Sequence, residues 1–335
     1  MNSSCVLLGI RETAQYVAFG YVTPIIGTIG AIGSFLNFIA ANNSRLKAPT
    51  YVHLAFLSLF NSIALFSQTF FSIIYVHAST TSWGPSFLAW FIFPVFKWAT
   101  TLSLAMMMLN TAHRYFFVAN KSSKFLLIHP KKEITTLKTL LFCLIITILN
   151  LPRMFYFKIR EDNEKCLWYR WSLDSELWFL IYNLIRILIL NIGCLTLLAI
   201  FNVMLVCKSY RQLSASRSLV ISATPSANKR RQKHVQLTMA LIVTTWIVVI
   251  SETYVALFNP VTELFFWPKF VEWPILRTLS MTSWIMLLIE YIGNWLVLFL
   301  LGGQFRDIIF NWFRPAELRR RVSRVSISLF ELTIN

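Results

Sequence analysis

No charged residue occurs between Glu12 and Arg45, and none between Lys47 and Lys97. Runs of that length constrain the fold more than any other feature of the chain. About 20 mostly apolar residues, rising 1.5 Å each, suffice to cross the ~30 Å hydrocarbon core of a bilayer. The second run is too long for one crossing. Its middle, His77-Ala-Ser-Thr-Thr-Ser-Trp-Gly-Pro85, is a polar turn cluster that divides it into two helices. The same reading along the chain predicts spans at 17–42, 50–76, 87–119, 136–157, 177–207, 235–258 and 276–301. One such run could be the buried core of a soluble protein. Seven in series predict an all-α membrane protein, a seven-transmembrane helix bundle.

Composition agrees. Of 335 residues only 13% are charged and 56% are hydrophobic, with a mean hydropathy of +0.61. Soluble domains carry about a quarter charged residues. The chain is nevertheless basic, with 31 Lys and Arg against 14 Asp and Glu, a net +17. Placement explains this. Connections 1–2, 3–4 and 5–6 and the C-terminal tail hold 21 basic and 4 acidic residues, with Arg114 and Lys138 at the span ends counted among them. The N-terminus and the other connections hold 6 basic and 8 acidic. Basic residues collect in short cytoplasmic loops, so the asymmetry predicts an extracellular N-terminus and a cytoplasmic C-terminus. It also removes the case for a nucleic-acid partner, because the charge is spread along one membrane face. The expected divisions are an N-terminus at 1–16, the spanning domain at 17–301, and a tail at 302–335. The tail opens with an amphipathic helix whose Phe305, Ile308, Ile309, Trp312 and Phe313 share one face, suited to the lipid interface.

Residues 1–12 show no signal-peptide pattern, so the first span is expected to act as its own signal-anchor. Asn2-Ser3-Ser4 is a glycosylation sequon on the expected outer side, whereas Asn42-Asn43-Ser44 and Asn120-Lys121-Ser122 fall inside and are read as chance matches. The five cysteines form no C-x-x-C pair, and neither a metal site nor a disulfide scaffold is expected. No enzyme signature such as His-Glu-x-x-His, Gly-x-Ser-x-Gly or a P-loop occurs, and no cofactor is expected.

Several residues at span ends carry a family resemblance. His113-Arg114-Tyr115 closes the third span and resembles the Asp-Arg-Tyr box of rhodopsin-like (class A) G-protein-coupled receptors. Asn294-Trp295-Leu296-Val297-Leu298 lies where that family carries Asn-Pro-x-x-Tyr, and Phe305-Arg306 follows at the family's spacing to open its eighth helix. Asn37 resembles the first-helix asparagine. Pro49-Thr50 with Leu54, Leu57 and Asn61 is similar to the second-helix pattern, Asn61 replacing its acid. Pro94 and the Gly302-Gly-Gln-Phe-Arg306 exit look most like invertebrate FMRFamide-type peptide receptors. The chain departs from the family too. The outer cysteine of the third span and the tryptophan of the fourth are missing, and Cys194, Glu252 and Trp295 stand at the proline positions of spans five, six and seven.

The resemblance implies a plasma-membrane receptor for an extracellular peptide or small molecule, acting on a heterotrimeric G-protein. His113, Arg114 and Tyr115 would form the switch. Arg114 would rest against neighbouring helix ends until the sixth helix moves out, and His113 supplies no fixed negative charge to hold it. Asn37, Asn61 and Asn294 would form the mid-membrane polar cluster, either for sodium or simply bonded across helices.

Ionisable residues inside spans are functional candidates in their own right. Lys97 lies 17 residues before Arg114, about 25 Å along a helix. With Arg186, Glu252 and Glu290 it forms a set of two bases and two acids at similar depth, with Lys97–Glu290 the favoured pair. Such a pair either contacts ligand or pins the bundle. Trp98, Trp246, Tyr254 and Trp284 would line or floor the pocket, or serve as ordinary packing.

The resemblance also implies that Cys166 bonds a third-span cysteine. That partner is absent, so a Cys5–Cys166 bridge and two free thiols both stay open. Cys143, Cys194 and Cys207 are read as small apolar packers. Ser323 and Ser326 follow Arg319-Arg320-Arg321, a pattern for basophilic phosphorylation, in a segment also suited to anionic inner-leaflet lipid. Two other readings remain: a diverged chemosensory receptor for small molecules, and a small transporter or channel, which would also place charges at mid-membrane.

Overall fold

The computed structural model describes residues 17–43, 46, 50–77, 83–119, 132–154, 157–161, 167–171, 177–217, 238–239, 241–255, 274–301 and 303–313. These are nearly all helical. Helix α1 is Thr23–Ala41, α2 is Thr50–His77, α3 is Phe93–Ala119 and α4 is Lys132–Met154. Helix α5 runs without a break through Leu177–Arg186, Ile187–Gly193 and Cys194–Arg217. The apolar helix α6 is Leu241–Val255, α7 is Pro274–Leu301 and α8 is Gly303–Phe313. Six of them, α1 to α5 and α7, contain stretches long and apolar enough to cross a membrane; α6 is shorter. That is the character of a multi-pass membrane protein.

The faces of the helices bear this out. In α4 the exposed positions are Ile134, Leu137, Leu140, Leu141, Leu144, Ile145 and Ile148, while Thr135, Thr139 and Asn150 are buried. A soluble amphipathic helix does the reverse. Here the apolar side chains face outward and hydroxyls and amides face inward, as expected where hydrocarbon is the solvent. The inward hydroxyls are satisfied locally: Thr139 donates to the carbonyl of Thr135 at 2.8 Å, and Thr147 to that of Cys143 at 2.8 Å. The same back-bond recurs at Thr101, Thr111 and Thr245.

Helices α2 and α3 form the centre, with 67% and 61% of their spanning stretches buried, against 28% for both α4 and α5. Polar bonds join the bundle round a circuit. Ser62 of α2 donates to the Ala31 carbonyl of α1 at 3.0 Å. Trp98 of α3 donates to Thr147 of α4 at 2.9 Å, and Tyr182 of α5 to the Leu149 carbonyl of α4 at 2.5 Å. Thr111 of α3 meets Thr245 of α6 at 3.3 Å, and Tyr254 of α6 meets Thr282 of α7 at 2.5 Å. Gln68 of α2 donates to the Trp284 carbonyl of α7 at 2.9 Å. Helices α1 and α7 close the circuit through glycine: Gly30 and Gly33 face Ile292 and Trp295 so closely that a Cβ at either would overlap them. Interhelical bonds in lipid are worth about 0.6–2 kcal/mol each, so this set fixes register as much as it adds stability.

Three π-helical segments, Ala18–Val22, Leu88–Ile92 and Ile187–Gly193, lie at the start of α1, at the start of α3 and within α5. Two have a direct cause. Pro24 and Pro94 follow the first two segments and offer no N–H to the preceding turn, so the backbone widens there. The third has no proline and ends at Cys194.

One element differs from the all-α expectation. Phe157–Glu161 (β1) and Leu167–Trp171 (β2) pair antiparallel, Ile159 opposite Tyr169. Residues Phe157 to Arg160 alternate apolar and basic, the period of a strand and not of a helix. The hairpin rests against the helical turn Gly84–Phe87 and the π segment that lead into α3. Helix α4 also ends at Met154, earlier than expected, and begins at Lys132.

Candidate functional site

The C-terminal end of α3 meets the first turn of α2. Thr50 Oγ1 lies 3.3 Å from His113 Nδ1, and the rings of His53 and His113 meet edge-on at 5.4 Å. Thr50 and His53 are three apart and so share one helix face. Arg114, the next residue, is only 4% exposed, its Nε makes no hydrogen bond among the described residues, and Tyr51 is within electrostatic reach. Tyr115 points elsewhere, packing on Phe116 and on Phe201 of α5. One turn above Arg114, the Thr111–Thr245 contact ties α3 to α6, and Met107 Sδ lies 4.0 Å from the Thr245 hydroxyl. A buried guanidinium at the end of α3 thus stands beside a polar link to α6.

Higher in the bundle Asn61 accepts a hydrogen bond from Ser103, which fastens α2 to α3. Asn37 and Asn294 are each 1% exposed, and neither amide has a hydrogen-bond partner among the described residues. The three asparagines are all buried polar groups at mid-membrane, but the bond that Asn61 makes goes to Ser103 and not to another asparagine.

Away from the C-terminal end of α3, ionisable residues of three helices lie within electrostatic reach of one another. Lys97 of α3 acts electrostatically on Glu252 of α6, and Glu252 acts on Glu290 of α7. Lys97 and Glu252 are thus within electrostatic reach of one another, as are Glu252 and Glu290. Lys97 Nζ also lies 5.4 Å from the centre of the Phe93 ring. Glu290 is 1% exposed and its Oε2 makes no hydrogen bond among the described residues. Arg186 is buried on α5.

The aromatic residues divide. Trp284 is sandwiched between Phe71 at 4.6 Å and Phe96 at 4.8 Å, both rings nearly parallel to it. Trp98 turns toward α2 and α4, edge-on to Phe60 at 5.7 Å and bonded to Thr147. Tyr254 bonds Thr282. Trp246 is 41% exposed on the outside of α6 and is not brought to the others.

The Thr111–Thr245 link, the His53–His113 contact and the Phe71–Trp284–Phe96 stack went unmarked in the sequence. Of these residues the sequence singles out only His113 and Trp284 as candidates; Thr111, Thr245, His53, Phe71 and Phe96 have no motif to mark them. Cys143, Cys194 and Cys207 are free thiols, the first two buried and Cys207 exposed. Asn2, Cys5, Cys166, Ser323 and Ser326 lie outside the described residues. No family model matches the chain, and no curated protein matches it.

Proposed function

We propose that the chain is a seven-span receptor of the rhodopsin-like, G-protein-coupled class at the cell surface, for a peptide-like ligand. In this reading the sixth span is the expected 235–258, the N-terminus is outside, and α8 lies along the inner leaflet. The observation that carries the proposal is the burial of Arg114 at the inner end of α3, one turn from the Thr111–Thr245 contact with α6. An arginine buried there needs a reason, because a mere interfacial anchor would snorkel its guanidinium into water. The motif resemblance at His113-Arg114-Tyr115 and Asn294 supplies one.

Ligand contacts in the outer half would favour the arrangement in which α6 leaves α3, a shift between two populations. In α8, Ile308 and Ile309 are buried in the same apolar cluster as residues of α1 and α2, with Trp312 against them, while Phe310 is 49% exposed. The helix thus docks on the bundle with one edge and offers Phe310 to lipid. The test is surface expression followed by a peptide-library screen read out by G-protein activation, with Arg114→Ala as the control. A ligand response that Arg114→Ala removes supports the proposal; a response that Arg114→Ala leaves intact contradicts the switch.

A further inference from the structure

The first turn of α2 is buried: Thr50, Tyr51, Val52 and His53 are each between 3% and 8% exposed. The first N–H groups of a helix have no partner within it and carry the positive end of its dipole. The C-terminal end of α3 packs against this turn. His113 Nδ1 lies 3.3 Å from Thr50 Oγ1, and its ring meets that of His53 at 5.4 Å. Arg114 follows on the chain, with Tyr51 within electrostatic reach of its guanidinium. Arg114 and His53 are 4% and 8% exposed, and neither Arg114 Nε nor His53 Nδ1 has a hydrogen-bond partner among the described residues. A buried guanidinium is costly unless an anion meets it. The chain has little to offer. No Asp or Glu occurs between Glu12 and Glu133 or between Glu176 and Glu252, so α1, α2, α3, α5 and connections 1–2 and 5–6 hold no carboxylate. Glu133, in the first turn of α4, and Asp307 of α8 are exposed. Glu252 is within electrostatic reach of Lys97, about 25 Å along α3 from Arg114, and Glu290 within reach of Glu252. Glu317 and Glu331 of the tail lie outside the described residues, and the other acids belong to the N-terminus and to connections 4–5 and 6–7, which join the opposite ends of the helices. Arg45 and Lys47, in the connection to α2, add to the positive side.

We infer that this end of the bundle binds a phosphate group, between the Arg114 guanidinium and the first-turn N–H groups of α2, with the Thr50 hydroxyl and the imidazoles of His53 and His113 as further donors. Backbone N–H groups and dipole make a helix N-terminus a seat for anions, and an arginine fork adds charge-assisted bonds. A phosphate directs its oxygens several ways and so suits donors that come from two helices; a carboxylate offers two oxygens in one plane. A lipid headgroup and free phosphate present the same chemistry. The site stands without the receptor reading. Under that reading, the bound anion fastens Arg114 of α3 to α2, where the packed helices supply no acid to do so.

The full chain in dodecyl maltoside, a detergent without phosphate, tests this at constant ionic strength. The readout is the concentration of each probe that raises the melting midpoint. Inorganic phosphate, dioleoyl phosphatidic acid or both should raise it at concentrations about tenfold or more below those of acetate. Dioleoyl glycerol, the same lipid without its phosphate, should not. A shift by phosphatidic acid alone assigns the site to a lipid headgroup; a shift by inorganic phosphate as well opens it to free phosphate. Arg114→Gln should weaken the effect about tenfold, and Arg306→Gln, exposed on α8, should leave it unchanged. Because Arg114→Gln could fail to fold, His113→Asp gives a second reading: an acid beside Arg114 should compete and weaken phosphate about tenfold. Equal shifts by phosphate and acetate or by the two lipids, no shift by either phosphate, or an unchanged response in folded Arg114→Gln or His113→Asp would each overturn the inference. So would a shift that emerges only when Glu317 and Glu331 are both changed to Gln, which would assign the site to the tail. The measurement needs no G-protein. A phosphate shift in a chain that activates no G-protein supports the site and counts against the receptor reading. Arg114-dependent G-protein activation without any phosphate shift overturns the site and leaves the receptor reading standing.

Discussion

The indole of Trp295 lies against Gly33, so close that a Cβ on the glycine would overlap the ring-fusion atoms. In the family that the motifs resemble, proline stands at the position of Trp295. Here α7 runs from Pro274 to Leu301 without that proline, and the large ring uses the bare backbone of α1 as its seat. Phe299 stacks on its other side at 6.0 Å. Gly33→Ala should therefore destabilise the purified protein by about 1–3 kcal/mol through overpacking. Thermal melting in detergent checks this, and Trp295→Leu added to Gly33→Ala should recover most of the loss.

Trp98 holds α4 by a single hydrogen bond, to Thr147. Trp98→Phe keeps a ring against Phe60 and removes the bond. The expected cost is about 0.6–1.7 kcal/mol, as for other bonds between helices in a bilayer. Thr147→Val should cost a similar amount, and the two together no more than one alone, as a double-mutant cycle of melting curves would record.

Trp284 contributes two stacked contacts, with Phe71 and Phe96. Trp284→Leu should lose about 1–3 kcal/mol from these pairs, and Phe71→Leu about half as much. Unfolding in a denaturing detergent, followed by far-ultraviolet circular dichroism, measures both.

His113 touches Thr50 and His53 and places no fixed negative charge beside Arg114. His113→Asp would supply one, adding a charge-assisted bond of about 1.5–3 kcal/mol if geometry allows. Basal G-protein activation should fall severalfold, with surface expression unchanged. Nucleotide exchange measured without ligand is the check.

The helices were legible because charge-free length is a coarse property that tertiary detail does not disturb. The observed α1, α2, α3 and α7 begin and end within a few residues of the expected spans, α3 once its π segment is included. The hairpin Phe157–Trp171 was not read, although Lys158 and Arg160 alternate with Phe157 and Ile159, because attention to a 20-residue window hides a five-residue period of two. Within the bundle the sequence named the residues that converge, but not their pairing. Lys97 could reach either acid by depth alone, because helix rotation is set by side chains on other helices. The same limit explains Trp246. Its spacing places it on a face, but only the packing of α6 reveals that the face is the exposed one.

The central claim is that Arg114 is the switch of a G-protein-coupled receptor. The most direct measurement is GDP release from purified heterotrimers of each major G-protein class, mixed with the full chain in nanodiscs. The account predicts that at least one class is accelerated by wild type and that Arg114→Ala, folded to the same melting midpoint, abolishes the acceleration. Acceleration of none, or equal acceleration by wild type and Arg114→Ala, would contradict it.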